Sequence, residues 1–492
     1  MPLRYRSWAA APTPRRIAYI VGAVLVAGAV ATLPSLVVAG VYREWGTGLD
    51  LMVTGSSMLA AGGFTMLAVR MPDRLRPKDA FAGVALAWAT VIVFGSLPYL
   101  LDGSLSPIDA LFESTAGFTT TGATVIGDLG GASRGLLFWR ATTQWLGGMG
   151  IIGLSIAVLP LVGAGAIHLA RAETPGQDPD RLTPRLRDTA IRLWALYVAL
   201  TVVMGVVLTL GDMSVYEALA HAMTTISTGG YSTSATSMGG FSAYSQWVVV
   251  VFMVVAAASF TVHIRALRNP REYAERPEFR YYLGSLGIGS LLLLAGVAMD
   301  QVGVPIREAV FTAVAMTTGT GYAVADYAAW PGALTAVVLL MMFIGGMGGS
   351  TTGGLKTYRV VIMLKSAAAE VRRLTRPRTI SVIRLGSERV TSDVVGAVRS
   401  YIVVYVVAFV VGMVGLLYAE SLWGSGMDLP TGLSAAASAI GNVGPGLGTV
   451  GPSSTYAALT VPGKLILGTL MLLGRLEIYP AILLLTASFW RR

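Results

Sequence analysis

Four short runs of small and hydroxylated residues recur along the chain. They are Thr119-Thr120-Thr121-Gly122-Ala123, Ser227-Thr228-Gly229-Gly230-Tyr231, Gly319-Thr320-Gly321-Tyr322 and Asn442-Val443-Gly444-Pro445-Gly446. The chemistry open to such runs is that of backbone oxygen. Glycine reaches the angles that turn successive carbonyls to one side, and Thr or Ser adds a hydroxyl oxygen. A ring of these oxygens replaces the water around an alkali cation. The candidate ligands are the carbonyls of Thr120, Thr121, Ser227, Thr228, Gly319, Thr320, Asn442 and Val443, with Gly122, Gly229, Gly321 and Gly444 permitting the turns. One Thr-Gly pair carries no information; four in the same context do. The expected cargo is potassium, passed through and not retained, and no covalently bound cofactor is expected.

Such oxygens need elements that hold them at membrane depth. Each run follows a segment too short to cross a bilayer and precedes one long enough to do so. The short segments have the residues of helix starts. Ser106-Pro107-Ile108-Asp109 offers an N-cap, a first-turn proline and an acid, Ser214-Val215-Tyr216-Glu217 is a capping box, and Pro305 and Pro430 open the other two. From start to glycine is 14 to 16 residues, so each helix reaches about halfway across the hydrocarbon. Four such half-helices would aim their negative C-terminal ends at one point. The blander reading is four interfacial helices without a pore, which leaves carbonyls at depth without partners.

The bulk composition agrees with a membrane location. Of 492 residues, 54% are hydrophobic and 13% charged, with 59 glycines. That is far from the roughly one-quarter charged residues of a soluble globule. Ten spans are expected, near 17–39, 49–69, 80–101, 138–162, 190–210, 245–264, 281–300, 333–362, 396–418 and 463–488. The fold class is an all-α integral membrane protein: four span–pore-loop–span repeats around a pseudo-four-fold pore, plus an N-terminal two-helix hairpin. The units are 1–72 (hairpin), 73–170, 171–268, 269–378 (with an intramembrane gating loop) and 379–492. Of 36 Lys and Arg, 30 lie in 1–16, 70–78, 171–192, 265–280, 356–399 and 491–492. These are alternate connections, so the positive-inside rule puts them and both termini in the cytoplasm. The net charge of +10 therefore reflects orientation and contact with anionic lipids, not nucleic acid. The first span is too long for a cleavable signal. There is no cysteine, and His168, His221 and His263 are too scattered for a metal cluster.

Two further features bear on control. Gly345, Gly346, Gly348, Gly349, Ser350, Thr351, Thr352, Gly353 and Gly354 interrupt the span after the third run. Six glycines in ten residues do not sustain a helix, since each costs about 1 kcal/mol relative to alanine. Broken backbone at this depth must face protein or water. It reads as a gate below the filter, or as a surface for close helix packing. Gly349 to Lys356 nearly matches a phosphate-binding loop, but has one residue too many and follows an apolar helix, so nucleotide binding there is discounted. Arg475 lies within the last span, where a charge is by default functional and paired. It either borders the pore as a positive barrier or pairs with Glu477 or Asp393. Glu113 and Glu217 either bond behind the filter or cap their helices. Asp128 and Asp326 either attract cations to the mouth or are solvated loop acids. The run Arg372 to Arg378 docks a cytosolic partner or anionic lipid.

The stretches Phe118 to Thr124, Gln144 to Gly150, Arg171 to Gly176, Ser227 to Thr233, Phe343 to Lys356, Gly441 to Gly446 and Gly474 to Glu477 resemble the membrane subunits of TrkH-type potassium uptake systems, in the Trk/Ktr/HKT superfamily. The N-terminal hairpin fits the TrkH type better than the shorter Ktr type. The resemblance implies a multi-pass homodimer in the bacterial cytoplasmic (inner) membrane. It also implies a cytosolic, nucleotide-binding TrkA-like regulatory subunit that gates potassium flow. The third loop departs from the family, with Gly319 where a threonine is usual, which loses a hydroxyl and loosens the loop. That departure implies a weaker preference for potassium over sodium. The rival reading is a sodium- or proton-coupled secondary transporter of a small solute. Such carriers show inverted repeats and an intramembrane acid at the substrate site. The four units here run parallel, and no clustered acids or metal ligands suggest an enzyme.

Overall fold

In hydrocarbon an apolar run satisfies its backbone only from within, so it folds as helix. The computed structural model describes residues 13–69, 77–157, 182–299, 305–376, 382–386, 388–424 and 426–490. The N-terminal helices are α1 (Pro14–Ala31), α2 (Leu33–Val41) and α3 (Trp45–Ala68). Next come α4 (Pro77–Gly95), α5 (Leu97–Leu101), α6 (Pro107–Phe118), α7 (Arg134–Ala157), α8 (Leu182–Thr209), α9 (Val215–Ile226), α10 (Ala243–Ala256), α11 (Phe260–Ala266) and α12 (Glu272–Glu275). Then follow α13 (Pro277–Met299), α14 (Ile306–Thr317), α15 (Gly332–Met341) and α16 (Thr357–Thr375). A ladder of β1 (Arg384–Leu385) antiparallel to β2 (Glu388–Arg389) precedes α17 (Ser392–Trp423), α18 (Leu429–Gly441), α19 (Val461–Arg475), α20 (Ile478–Leu485) and α21 (Ala487–Trp490).

Among the described residues six helical stretches are long and apolar enough to cross a membrane, or seven with the bent pair α10–α11. Their apolar windows are only 22% to 44% buried. On α17, Val403, Val407 and Val411 face outward, which suits a chain solvated by lipid. Among the described residues fewer than the ten expected spans are continuous and apolar enough: three of the four that follow the small-residue runs are broken, and α7 is not among the six. The α10–α11 pair bends by 96°. Between α15 and α16 the glycine-rich stretch is irregular, with positive φ at Gly345, Gly349, Gly354 and Lys356. The last span stops at Arg475 and resumes beyond Glu477, whose φ is +61°. The expected unit boundaries at 72, 170 and 378 fall outside the described residues, as do His168, Arg171 to Gly176 and Arg378. The boundary at 268 lies in the turn between α11 and α12.

The short helices α6, α9, α14 and α18 differ from the spans in being buried on all sides over their C-terminal halves. Their starts follow the expected grammar. Ser106 caps Asp109, and the Ser214–Glu217 box is formed in both directions. Pro305 is the N-cap of α14, and Asp428 precedes Leu429-Pro430 at α18. Each packs against its own flanking helices, and three also pack on the following element of a neighbour: α7 on α9, α10 on α14, and α19 on α6. The N-terminal α1 and α3 pack on each other, and α1 lies on α4, outside this central group.

Candidate ion pathway

Each short helix ends in the same way. A residue at or just past the C-cap takes a left-handed conformation: Thr120 (φ +53°), Thr228 (+54°) and Gly319 (+68°) after it, and Asn442 (+53°) as the C-cap itself. Its N–H bonds three residues back, to Gly117, Thr225, Met316 and Ala439. The next N–H bonds five back: Thr121 to Ala116, Gly229 to Thr224, Thr320 to Ala315 and Val443 to Ser438. This is a Schellman closure. It spends the N–H groups on the helix and leaves the following carbonyls turned away from it. A second positive φ comes two residues on, at Gly122 (+80°), Gly230 (+74°), Gly321 (+76°) and Gly444 (+112°).

These glycines are obligatory because of what lies beside them. A Cβ on Gly122 would fall on the carbonyl oxygen of Gly229, and one on Gly230 on that of Thr320. One on Gly321 would fall on Val443 O, and one on Gly444 would sit 2.6 Å from Thr121 O. Each loop thus presses its glycine on the carbonyl just before the next loop's glycine, and the sequence first, second, third, fourth, first closes on itself. The second loop corrects the sequence reading by one position. Gly230, not Gly229, is the left-handed glycine, and Gly229 supplies the equivalent carbonyl. The Gly229-Gly230 pair allows either register locally, and contact with Thr320 selects one.

Side chains join the loops. Asn442 Nδ2 donates to Thr121 Oγ1 at 3.0 Å, and the Tyr322 hydroxyl meets Thr224 and Thr225. Tyr231 donates its hydroxyl to the carbonyls of Glu113 (3.0 Å) and Ala123 (3.2 Å), and Tyr456 donates to Gly444 O at 2.7 Å. Gln144 reaches from α7 to Gly229 O (2.7 Å) and accepts from Tyr231 N–H (3.0 Å). At Gly319 the missing side chain matches Thr120, whose buried hydroxyl has no hydrogen-bond partner among the described residues. The bonded hydroxyl pair of the third loop, Thr318 with Thr320 at 2.8 Å, remains, as Thr119 with Thr121 does in the first. Beyond the four glycines an open cavity of about 170 Å³ is lined by residues of all four loops, including Thr124, Tyr231, Gly321 and Pro445.

On the other side of the ring lies the glycine-rich stretch. Thr351 is buried, its hydroxyl meeting Thr228 Oγ1 (3.3 Å) and the carbonyls of Ile226 (3.2 Å) and Ala256 (3.3 Å). A Cβ on Gly353 would strike Gly441 O and Asn442. Met347 N–H bonds Ala257 O, Gly348 N–H bonds Glu278, and Phe260 N–H bonds Gly349 O. Gly346 N–H and Ser350 both use the Thr352 hydroxyl, and Lys356 caps the Thr352 carbonyl. Arg475 is buried and donates to Thr351 O (2.6 Å) and to Gly147 O on α7 (2.8 Å). It therefore bridges the stretch to the opposite wall. Glu477 does not pair with it; its carboxylate takes Arg359 at 2.7 Å.

The remaining candidates separate. Glu113 is wholly buried behind the first loop, while Glu217 serves its helix cap. Asp128 and Asp326 accept nearby N–H groups from Gly131 and Ala328. His221 bonds Glu217 O and Ser232, and His263 bonds Tyr273 and Val255 O, both as packed side chains. Sequence reasoning missed Arg140, which pairs with Glu113 at 2.8 Å, and Lys464, which pairs with Asp109 at 2.6 Å. The signal was present: each is a charge inside an apolar span, the criterion that singled out Arg475.

The fold is helical, with several helices long and apolar enough to cross a membrane, which places it among membrane proteins, and the comparisons give the family. The family described as TrkH, cation transport protein, matches residues 50–299 and 294–492. The chain belongs to that family. It is 37% identical to the Trk system potassium uptake protein TrkH of Vibrio parahaemolyticus, over 97% of this chain and 99% of that one. TrkH and TrkG of Escherichia coli K12 are 34% and 33% identical, over 97% and 93% of this chain and 99% and 95% of theirs. The crystal structure of the potassium transporter TrkH from Vibrio parahaemolyticus matches with a TM-score of 0.88 at 35% identity, over 97% of this chain and 99% of that one.

Proposed function

We propose that this chain takes up potassium across the cytoplasmic membrane through a channel-like pore, with the four loops as its selectivity filter. The architecture is a hairpin, 1–72, followed by four span–pore-loop–span units, 73–170, 171–268, 269–378 and 379–492. The observation that carries this reading is the closed cycle in which each left-handed glycine abuts the next loop's carbonyl. Carbonyls of Thr121, Thr320 and Val443 accept no hydrogen bond among the described residues, so their lone pairs remain for a dehydrated cation. Four half-helix C-termini add negative potential at the same place. Below the ring, Gly345 to Gly354 is the gate and Arg475 its latch. The arginine presents a positive charge to the passing ion and holds Thr351 across the path. The relatives' Trk system names support partnership with other Trk components; the partner in this reading is of the TrkA-like regulatory kind and the chain a homodimer, and the placement of its basic connections puts both termini in the cytoplasm. Anionic lipids would meet the basic cytoplasmic connections. Solute coupling through an intramembrane acid is disfavoured, because the carboxylate nearest the loops, Glu113, is already neutralised by Arg140.

The test is rubidium uptake into proteoliposomes with and without competing sodium. Parent protein should take up rubidium and resist sodium competition, and Gly122→Ser should abolish both properties. Uptake indifferent to Gly122→Ser in folded protein rejects the filter.

A further inference from the structure

We propose that Arg140 and Glu113 are positioning residues of the filter, a brace that fixes the spacing of the first and second loops and so sets discrimination between potassium and sodium. The proposal rests on the filter reading above and adds what holds its oxygens in place.

Glu113 on α6 and Arg140 on α7 are both essentially without solvent exposure, at 0% and 1%. The carboxylate is fully engaged. It accepts from Arg140 Nε at 2.8 Å, from Thr124 Oγ1 at 3.0 and 3.1 Å, and from Val125 N–H at 2.9 Å. The guanidinium continues to the second loop, with Nη1 donating to Ser232 O at 3.3 Å and Nη2 to Thr124 Oγ1 at 3.2 Å. Its Cζ lies over the Tyr231 ring, 3.9 Å from the centroid. Thr124 and Val125 lie two and three residues after Gly122, and Tyr231 and Ser232 one and two residues after Gly230. One ion pair therefore touches the exit strands of both loops, immediately beyond the glycines that form the ring.

A buried ion pair is weak evidence for stability, because desolvation consumes most of its Coulomb attraction. What it does provide is rigidity: a planar carboxylate with both oxygens bonded and a planar guanidinium bonded through all three nitrogens are held in one geometry. Cation discrimination depends on carbonyls that do not collapse on a smaller ion, and a fixed frame behind two of the four loops resists that collapse. The pair must also be neutral overall, since an unpaired arginine beside the mouth would repel the cargo. The exits of the third and fourth loops carry no ion pair among the described residues. Tyr322 and Tyr456 hold them through hydroxyls.

The experiment measures rubidium uptake into proteoliposomes against increasing sodium, with thermal stability recorded in parallel. Arg140→Lys keeps the charge and loses the fork; sodium should compete roughly tenfold better, the loss of about one charge-assisted hydrogen bond. Glu113→Gln should lower uptake as well, because it leaves Arg140 charged. Thr124→Val removes the shared hydroxyl at constant size and should shift sodium competition in the same direction by about threefold. Arg16→Gln breaks the Arg16–Asp79 ion pair far from the loops and should leave sodium competition at the parental value whatever it does to stability. Parental sodium competition in both Arg140→Lys and Thr124→Val overturns the brace. Should Arg140→Lys not fold, Thr124→Val decides alone, and a parental value there is refutation. Failure of the filter reading is separable: it would appear as indifference to Gly122→Ser, whereas failure of the brace leaves that variant defective.

Discussion

Gly444→Ala offers the sharpest probe of the ring. Its φ of +112° lies outside what an L side chain adopts comfortably, and its Cβ would stand 2.6 Å from Thr121 O. Carbon–oxygen contacts ordinarily begin near about 3.3 Å, so the Thr121 carbonyl would have to retreat by roughly 0.7 Å. Backbone strain at such a position adds about 1–3 kcal/mol. If the ion-loaded ring bears a combined penalty of roughly 2–4 kcal/mol, its occupancy falls by a factor of about 30 to 700. The assay is initial-rate uptake of radioactive rubidium into proteoliposomes, normalised to folded protein by size-exclusion chromatography. Gly284→Ala on α13, where the added Cβ meets nothing within 4 Å, is the control and should match the parent. Gly444→Ala uptake within a factor of two of the control, in protein that elutes normally, would refute the claim that this carbonyl faces the ion.

Two other perturbations test the gate and the outer framework. Arg475→Gln removes the charge-assisted bonds to Thr351 O and Gly147 O, about 1.5–3 kcal/mol each. Rubidium uptake without any regulatory partner should rise severalfold, and unchanged or lower uptake in folded protein would mean that the arginine only packs. Lys464→Met leaves Asp109 without its 2.6 Å partner near the start of α6. A loss of roughly 1.5–3 kcal/mol should appear as a lowered melting temperature with sodium competition unaltered; a melting temperature equal to the parent's would show the pair to be dispensable.

Much of this arrangement was legible in the residues themselves. Apolar runs of bilayer length, the Ser106 and Ser214 caps, the half-length helices and the four glycine-containing runs are all local patterns, and local patterns dictate local structure. The break at Gly345 to Gly354 was equally readable, since glycine density alone defeats a helix. The interruptions at 257–259 and at Glu477 were not, because nothing in their composition forbids a continuous span.

What only the tertiary structure decided is which groups meet. Gly229 and Gly230 are interchangeable in isolation, and the carbonyl of Thr320, about ninety residues on, chooses between them. Glu113 finds Arg140, Glu477 finds Arg359, and Arg475 finds two carbonyls, one of them 328 positions away. Such pairings are set by how the four loops close on one another. The sequence determined that half-helices would end in carbonyl-rich turns, because capping and glycine geometry act over a few residues. Packing determined that the turns face one another, because only the closed ring leaves no room for a Cβ beside each neighbour's oxygen.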